Sequence, residues 1–430
     1  MNRRQFAVLL VLVALLGVAG LILYQQNQTS WQSSGQKLGQ KLLGDFPVND
    51  VAQIVIKSGT NELTLAKKEG TWRVRERSDY PANFSEISGL LLKLADLKVV
   101  QSEEVGPSQL GRYQLLPPGT GTNTATLVEF LDQKGKTLKT LLLGKTHLRK
   151  SERRSAMEDF GDTGWPDGRY VMVGRAGSPL PAAADGAQRS APPTVALITD
   201  PLTQLEPKPE PWLDKDFFKV SKTKAVSVEF PATTNSWKVT RDTESAEWKL
   251  ADAKADEKLD SSKVSGINYA LSSPSFADVL RGGTNPEQTG LDKPTVITLQ
   301  TFDNFTYTLK VGSKTNDDYA LTVNVTASLP QERTPGKDEK AEDKDKLDKE
   351  FKVNQKKLEE KLTQEQAYAK WIYLVSSWTF DSLLKERTQI LEEKKEEPPE
   401  SDASTNATTS AESPTNATPS QPDEAKPANE

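Results

Sequence analysis

Ala52-Gln53-Ile54-Val55-Ile56 and Ala225-Val226-Ser227-Val228-Glu229-Phe230 are the stretches whose reading decides the fold. Each alternates apolar and polar side chains, the two-residue period of a strand with one buried face. A second strand follows each: Leu63 and Leu65 in the first case, Trp237 and Val239 in the second. Then comes a strand opened by tryptophan, Trp72-Arg73-Val74 against Trp248-Lys249-Leu250. These second and third strands correspond at offsets of 174 to 176 residues. Further out, Ile87-Ser88-Gly89-Leu90 aligns with Val264-Ser265-Gly266-Ile267, and Leu94 with Leu271, at an offset of 177.

Ile87, Leu90, Leu91 and Leu94 follow the i, i+3, i+4, i+7 spacing of a helix with one buried face. Asn83 with Glu86 reads as its capping pair, and Asp260 as the N-cap of the second copy. The match resumes at Leu115-Leu116-Pro117-Pro118 and Leu291-Asp292-Lys293-Pro294. A hairpin ends in Leu143-Gly144-Lys145 in one copy and Val311-Gly312-Ser313-Lys314 in the other. Gly168-Arg169-Tyr170-Val171 corresponds loosely to Asp318-Tyr319-Ala320-Leu321, and Val195–Ile198 to Ile372–Val375, again at 177. Each copy thus reads β-β-β-α-loop-β-β-β-β, which predicts an antiparallel sheet with a helix on one face.

The first 24 residues have a different character. Arg3 and Arg4 precede Phe6–Tyr24, an uncharged and mostly aliphatic run of 19 residues. As a helix it would measure about 28 Å, close to the ~30 Å hydrocarbon core of a bilayer. No further charge appears before Lys37, so the positive-inside bias places the N-terminus in the cytoplasm and the rest outside. A cleaved signal peptide would carry a shorter apolar run and an A-x-A-like site. Val18-Ala19-Gly20 followed by Gln25, Gln26 and Asn27 fits an uncleaved anchor better.

The expected class is therefore α+β: an N-terminal transmembrane helix, then two tandem copies of an antiparallel-sheet-plus-helix domain. Residues 1–31 form the cytoplasmic stub and anchor, 42–211 the first copy and 212–392 the second. The second copy holds a charged insertion at 331–369, in which Leu347, Phe351, Leu358 and Leu362 make a thin apolar stripe and part is helical. Residues 393–430, rich in Glu, Pro, Ser, Thr and Asn, read as a disordered acidic tail.

Only 35% of residues are apolar and 27% are charged, which is polar for a globular chain. From Glu393 to Glu430 there are 9 acidic and 3 basic residues, a net of −6 against −5 for the whole chain, so the remainder is near neutral. No basic stripe points to nucleic acid. The absence of cysteine excludes disulfides, thiolate nucleophiles, zinc ribbons and lipidation at a lipobox.

Motifs that carry chemistry are incomplete. Gly135-Lys136-Thr137 and Gly144-Lys145-Thr146 resemble the end of a phosphate loop, but Phe130 and Lys139 stand where its first glycine belongs. Asp162-Thr163-Gly164 matches an aspartic-protease tripeptide without the second copy or the apolar strand that chemistry needs. Glu158, Asp159, Asp162 and Asp167 with Gly161, Gly164 and Gly168 lack EF-hand spacing and read as turn chemistry. His147, the single histidine, has no recognisable companions. Trp72 and Trp248 recur at equivalent places, as core residues must. No catalytic, cofactor-binding or metal residue is assigned, and no cofactor is expected.

The repeat residues, with the opening Asn2-Arg3-Arg4-Gln5-Phe6, resemble proteins of the domain-of-unknown-function family 4340. The features that carry the resemblance are Asp50-Val51-Ala52-Gln53-Ile54-Val55-Ile56, Gly70-Thr71-Trp72, Tyr80-Pro81-Ala82, Leu143-Gly144-Lys145 and Gly168-Arg169-Tyr170-Val171. It covers most of residues 42 to 392, and the second copy lacks the Tyr-Pro-Ala and Gly-Arg-Tyr-Val signatures. The resemblance implies a bacterial envelope protein encoded beside gliding-motility-type ABC transport components, with no catalytic residues to carry over. The expected function is a non-enzymatic, periplasmic accessory or scaffold protein of an inner-membrane ABC-type assembly. Its partners would be the bilayer, through Phe6–Tyr24, and permease or ATPase subunits. The alternative is a stand-alone ligand- or cell-wall-binding module with its site in a cleft between the copies.

Overall fold

The computed structural model describes residues 38–119, 121–149, 165–174, 193–335 and 339–393. Phe6–Tyr24, the Asp162-Thr163-Gly164 loop and the acidic tail from residue 394 lie outside them. Through Leu391 the chain forms one compact unit, and a second begins at Glu392.

In the first half, β1 (Gln53–Ser58), β2 (Asn61–Lys68), β3 (Thr71–Val74) and β4 (Tyr80–Pro81) are followed by helix α1 (Phe84–Asp96). After it come β5 (Val99–Glu104), β6 (Thr126–Leu131), β7 (Thr137–Arg149), β8 (Trp165–Gly174) and β9 (Thr194–Ile198). All pair antiparallel in one sheet of order β4-β3-β2-β1-β6-β7-β8-β9-β5.

The second half carries β10 (Thr223–Glu229), β11 (Trp237–Thr240) and β12 (Lys249–Leu250), then two short helices, α2 (Ser261–Val264) and α3 (Ile267–Ala270). Strand β13 (Asp278–Val279), helix α4 (Pro286–Thr289), β14 (Thr295–Thr301), β15 (Phe305–Thr315) and β16 (Asp318–Ala327) lead to a long helix, α5 (Ala341–Gln366). Strand β17 (Tyr373–Ser376) closes a sheet of order β12-β11-β10-β14-β15-β16-β17-β13. With β4 set aside, the two lateral orders coincide strand for strand.

Alternation does what the period requires. Ile54 and Ile56 pair with Leu65 and Leu63, and Val226 and Val228 pair with Val239 and Trp237, all buried on one face. Helix α1 covers that face in the first half with Ile87, Leu90, Leu91 and Leu94, and Asn83 caps it by accepting from the Ser85 and Glu86 N–H groups. The other face of the first sheet is covered too. The segment Pro107–Tyr113 brings Leu110 and then Leu115 against Leu127, Leu142, Met172 and Val195. Burial on both faces is why Leu141-Leu142-Leu143 runs apolar without alternating.

The α+β class is corrected here, while the transmembrane helix expected at Phe6–Tyr24 lies outside the described residues. The described fold is β-rich, with seventeen strands in two large antiparallel sheets and few helices. The second copy supplies only two four-residue helices where the first has a 13-residue one. Between them Ser265 and Gly266 keep right-handed helical dihedrals, and a Cβ at Gly266 would stand 3.1 Å from Ser382 Cβ. Among the described residues no helix is long and apolar enough to cross a membrane.

Candidate functional site

The part of the molecule richest in long-range polar and aromatic contacts is the junction between the two sheets. It is built from the turn that leads out of β3. Positive φ angles at Ser78 and Asp79 fold this turn back, and Tyr80-Pro81 then pairs with Val74 and Arg73. The turn projects Arg77 and Tyr80 away from the first sheet. Arg77 Nε and Nη2 donate to the two carboxylate oxygens of Asp278 on β13, both at 2.7 Å, and Nη2 also reaches Glu210 at 3.3 Å. A guanidinium forked onto a carboxylate is the geometrically most specific ion pair available. Both side chains are largely buried, and the Asp278 hydrogen bond and charge hold the guanidinium above its ordinary range despite burial, which acts to lower it.

Beside this clamp, the Tyr80 ring sits edge-on to Trp371 (4.9 Å between centroids), Phe276 (5.8 Å) and Tyr373 (6.0 Å). Phe217 from the connecting segment packs on Phe276 and Tyr373, and Tyr368 on Phe217. Trp371 Nε1 donates to Ser78 O (3.2 Å), and Gly282 N–H donates to Ser78 Oγ (2.6 Å). Lys215 Nζ donates to Ala277 O (2.8 Å) and lies over the Phe276 ring, its pKa lowered by burial. Burial also pushes the Tyr80 and Tyr373 hydroxyls well above their ordinary range, and Tyr368 to about 12. The Tyr373 hydroxyl is buried without a hydrogen-bond partner among the described residues. The side chains that meet here are mostly aromatic rings, beside Arg77 paired with Asp278.

A second buried polar point fixes α5. Glu365 accepts from Tyr307 OH (2.7 Å) and Lys219 N–H (3.2 Å), and Lys361 Nζ stands 3.8 Å away. Burial is the largest influence and raises the Glu365 pKa. Leu358 and Leu362 of the apolar stripe pack on the core at the same end. On the far side of the second sheet, Arg387 is buried and all its donor groups are used. Nε and Nη2 reach Glu257 (3.2 and 2.7 Å), while Nη1 and Nη2 reach Asp252 Oδ2 and Asp252 O (2.9 Å each). That saturated guanidinium has no donor left for a ligand in the shallow depression lined by Ser227, Glu229 and Lys238.

The residues weighed from sequence fall as follows. Gly135 turns the β6–β7 hairpin, with Asp132 accepting from the Lys134 and Lys136 N–H groups, while Phe130 is buried. Gly144 lies within β7, where a Cβ would stand 2.3 Å from Tyr113 O. Gly312 is its counterpart, 2.0 Å from Thr289 O. Both glycines are required by the chain crossing over them, not by a phosphate. Trp72 and Trp248 are buried. His147 does have companions: its Nδ1 is 2.6 Å from Asp167 Oδ1, and its ring is edge-on to Tyr170. The bulge opposite His147 brings Asp167 to it, a feature without sequence signature. Among the described residues no group of three or more His, Asp or Glu side chains is placed to hold a metal.

These observations define a duplicated antiparallel β-sheet protein whose best-built cluster joins its own halves. In comparison with known proteins, residues 72–154, from β3 to just past β7, match the family described as "Domain of unknown function (DUF4340)". No curated protein and no solved structure matches the chain.

Proposed function

We propose that the chain is a non-catalytic, extracytoplasmic accessory or scaffold protein of an inner-membrane ABC-type transport assembly. In this reading it contacts the bilayer through Phe6–Tyr24 and binds permease or ATPase subunits. The observation that carries it is the junction: Arg77–Asp278 and the rings around Tyr80 spend the most elaborate chemistry of the fold on holding two sheets together. A rigid double platform suits positioning of partners, and the chain brings no complete phosphate loop of its own, so any energy-driven step belongs to another subunit. The alternative reading is a stand-alone ligand- or cell-wall-binding module.

The test is crosslinking in intact cells, purification in mild detergent and mass-spectrometric identification of what comes with the protein. Transporter permease and ATPase subunits are the expected companions. Recovery of the protein by itself, or with wall fragments only, overturns the scaffold reading.

A further inference from the structure

The chain enters the described fold at Leu38, and that corner of the first sheet carries side chains the fold does not use. Gly39 N–H donates to Val99 O (2.9 Å), Val99 N–H donates to Gln40 O (3.0 Å), and Lys41 bridges antiparallel to Lys98. Residues 38–41 therefore run beside β5, the edge strand, and Leu38 comes next to Val100 across that edge. A bulge between Val99 and Gln101 turns Val100 outward, 48% exposed. Leu92 is 60% exposed on α1 one turn before Asp96, and Asp96 is held by Lys41 Nζ at 2.9 Å. Leu38 itself is 70% exposed. Lys41, Lys93 and Lys98 are exposed around these three aliphatics, with Asp96 and Asp200 engaged by Lys41 and Lys93.

Single exposed leucines are ordinary. What distinguishes this corner is its place along the chain. Thirteen residues, 25–37, separate it from Tyr24, and fully extended they span at most about 45 Å. A bilayer holding Phe6–Tyr24 would therefore lie no more than about 45 Å from Leu38. Exposed aliphatic side chains beside Lys98 have the composition of a surface that dips into a headgroup layer, while Lys41 and Lys93 are held by Asp96 and Asp200. We infer that Leu38, Leu92 and Val100 form a contact of the first sheet with the phospholipid surface, which orients the fold on the membrane. This rests on the bilayer contact of Phe6–Tyr24 proposed above.

The chain has no cysteine, so single labels can be placed at will. Leu38→Cys, Leu92→Cys and Val100→Cys, each in the full chain, are labelled with a polarity-sensitive fluorophore and reconstituted in phosphatidylcholine–phosphatidylglycerol vesicles. Tyr269→Cys and Val353→Cys, also exposed, serve as controls. The expected result is a blue shift and quenching by nitroxide-bearing lipid at the three corner sites and at neither control. Protein that floats with the vesicles while all five labels report water overturns the surface contact alone. Protein that does not float overturns the bilayer contact of Phe6–Tyr24 as well. Corner labels that respond only when transporter subunits are added assign the corner to a protein partner and overturn the lipid assignment.

Discussion

The two sheets share a strand order but not a surface, and the difference explains how they fit together. Copy one carries one side of the junction, Arg77 and Tyr80. At the corresponding positions, counted from Trp72 and Trp248, copy two has Ala253 and Asp256. Copy two carries the other side, Phe276, Asp278, Trp371 and Tyr373. At the same register in copy one, where Gln101 faces Leu197 as Asp278 faces Leu374, stand Val99, Gln101, Thr194 and Ala196. The two unlike sides close on each other, with hydrogen bonds donated in both directions. The two sheets share one strand order, and a few positions at which they differ make the two sides of the junction unlike.

The largest expected effect comes from emptying the ring cluster. Tyr80→Ala should lower stability by about 3–5 kcal/mol, as truncating a buried aromatic does, read from chemical denaturation followed by tryptophan fluorescence. The change at the corresponding exposed position of copy two, Asp256→Ala, should cost less. Equal costs at the two positions would break the asymmetry. Breaking the clamp comes next. Arg77→Ala should cost about 3 kcal/mol because Asp278 is left largely buried without its partner, and Arg77→Ala combined with Asp278→Ala should cost less than the sum of the two changes. Strict additivity would mean that the pair is a surface contact.

The glycines test what the copies still share. Gly144→Ala and Gly312→Ala each force a Cβ against a carbonyl oxygen and should each cost about 1–3 kcal/mol. A cost in one copy alone would show that the crossing segments have diverged.

The smallest effects are in pH dependence, and the two buried-side acids of the second half should act in opposite directions. Glu365 has a pKa raised by burial, so its protonated form favours folding. That contribution is complete below the ordinary glutamate pKa and fades as pH rises through the raised one. Glu257 is held down to about 2 by the hydrogen bond from Arg387, so its contribution is present above the ordinary pKa and fades as pH falls toward 2. Thermal melts across pH should show Glu365→Gln flattening the neutral side of the profile and Glu257→Gln flattening the acid side.

Much of the repeated core can be read directly from period and spacing. Ile54, Ile56, Leu63 and Leu65 alternate because one face is buried, and Ile87 to Leu94 keep helical spacing because α1 buries one stripe. What escaped has a physical cause in each case. Strand β5 does not alternate because its bulge turns Val100 outward, and β13 is two residues long, too short for any period. The second copy's helix is split into two four-residue pieces although Gly266 aligns with Gly89 inside α1, so the aligned residues do not announce the split. The junction joins Arg77 to Asp278 and Ser78 to Trp371, and no local pattern encodes partners 201 and 293 residues apart. Its one trace in the sequence is that Tyr80-Pro81-Ala82 occurs in copy one and has no counterpart in copy two. His147 stood without companions for the same reason, since a bulge brings Asp167 to it.

The claim on which the account turns is that the junction locks the two sheets into one body. Spin labels at Asn61→Cys in copy one and Tyr269→Cys in copy two, both exposed positions, report the distance between the halves by double electron–electron resonance. The account predicts one narrow distance distribution in the otherwise native chain, and a broadened one when Tyr80→Ala and Arg77→Ala are added. A broad or two-peaked distribution in the native chain, or a narrow one that survives both changes, would contradict it.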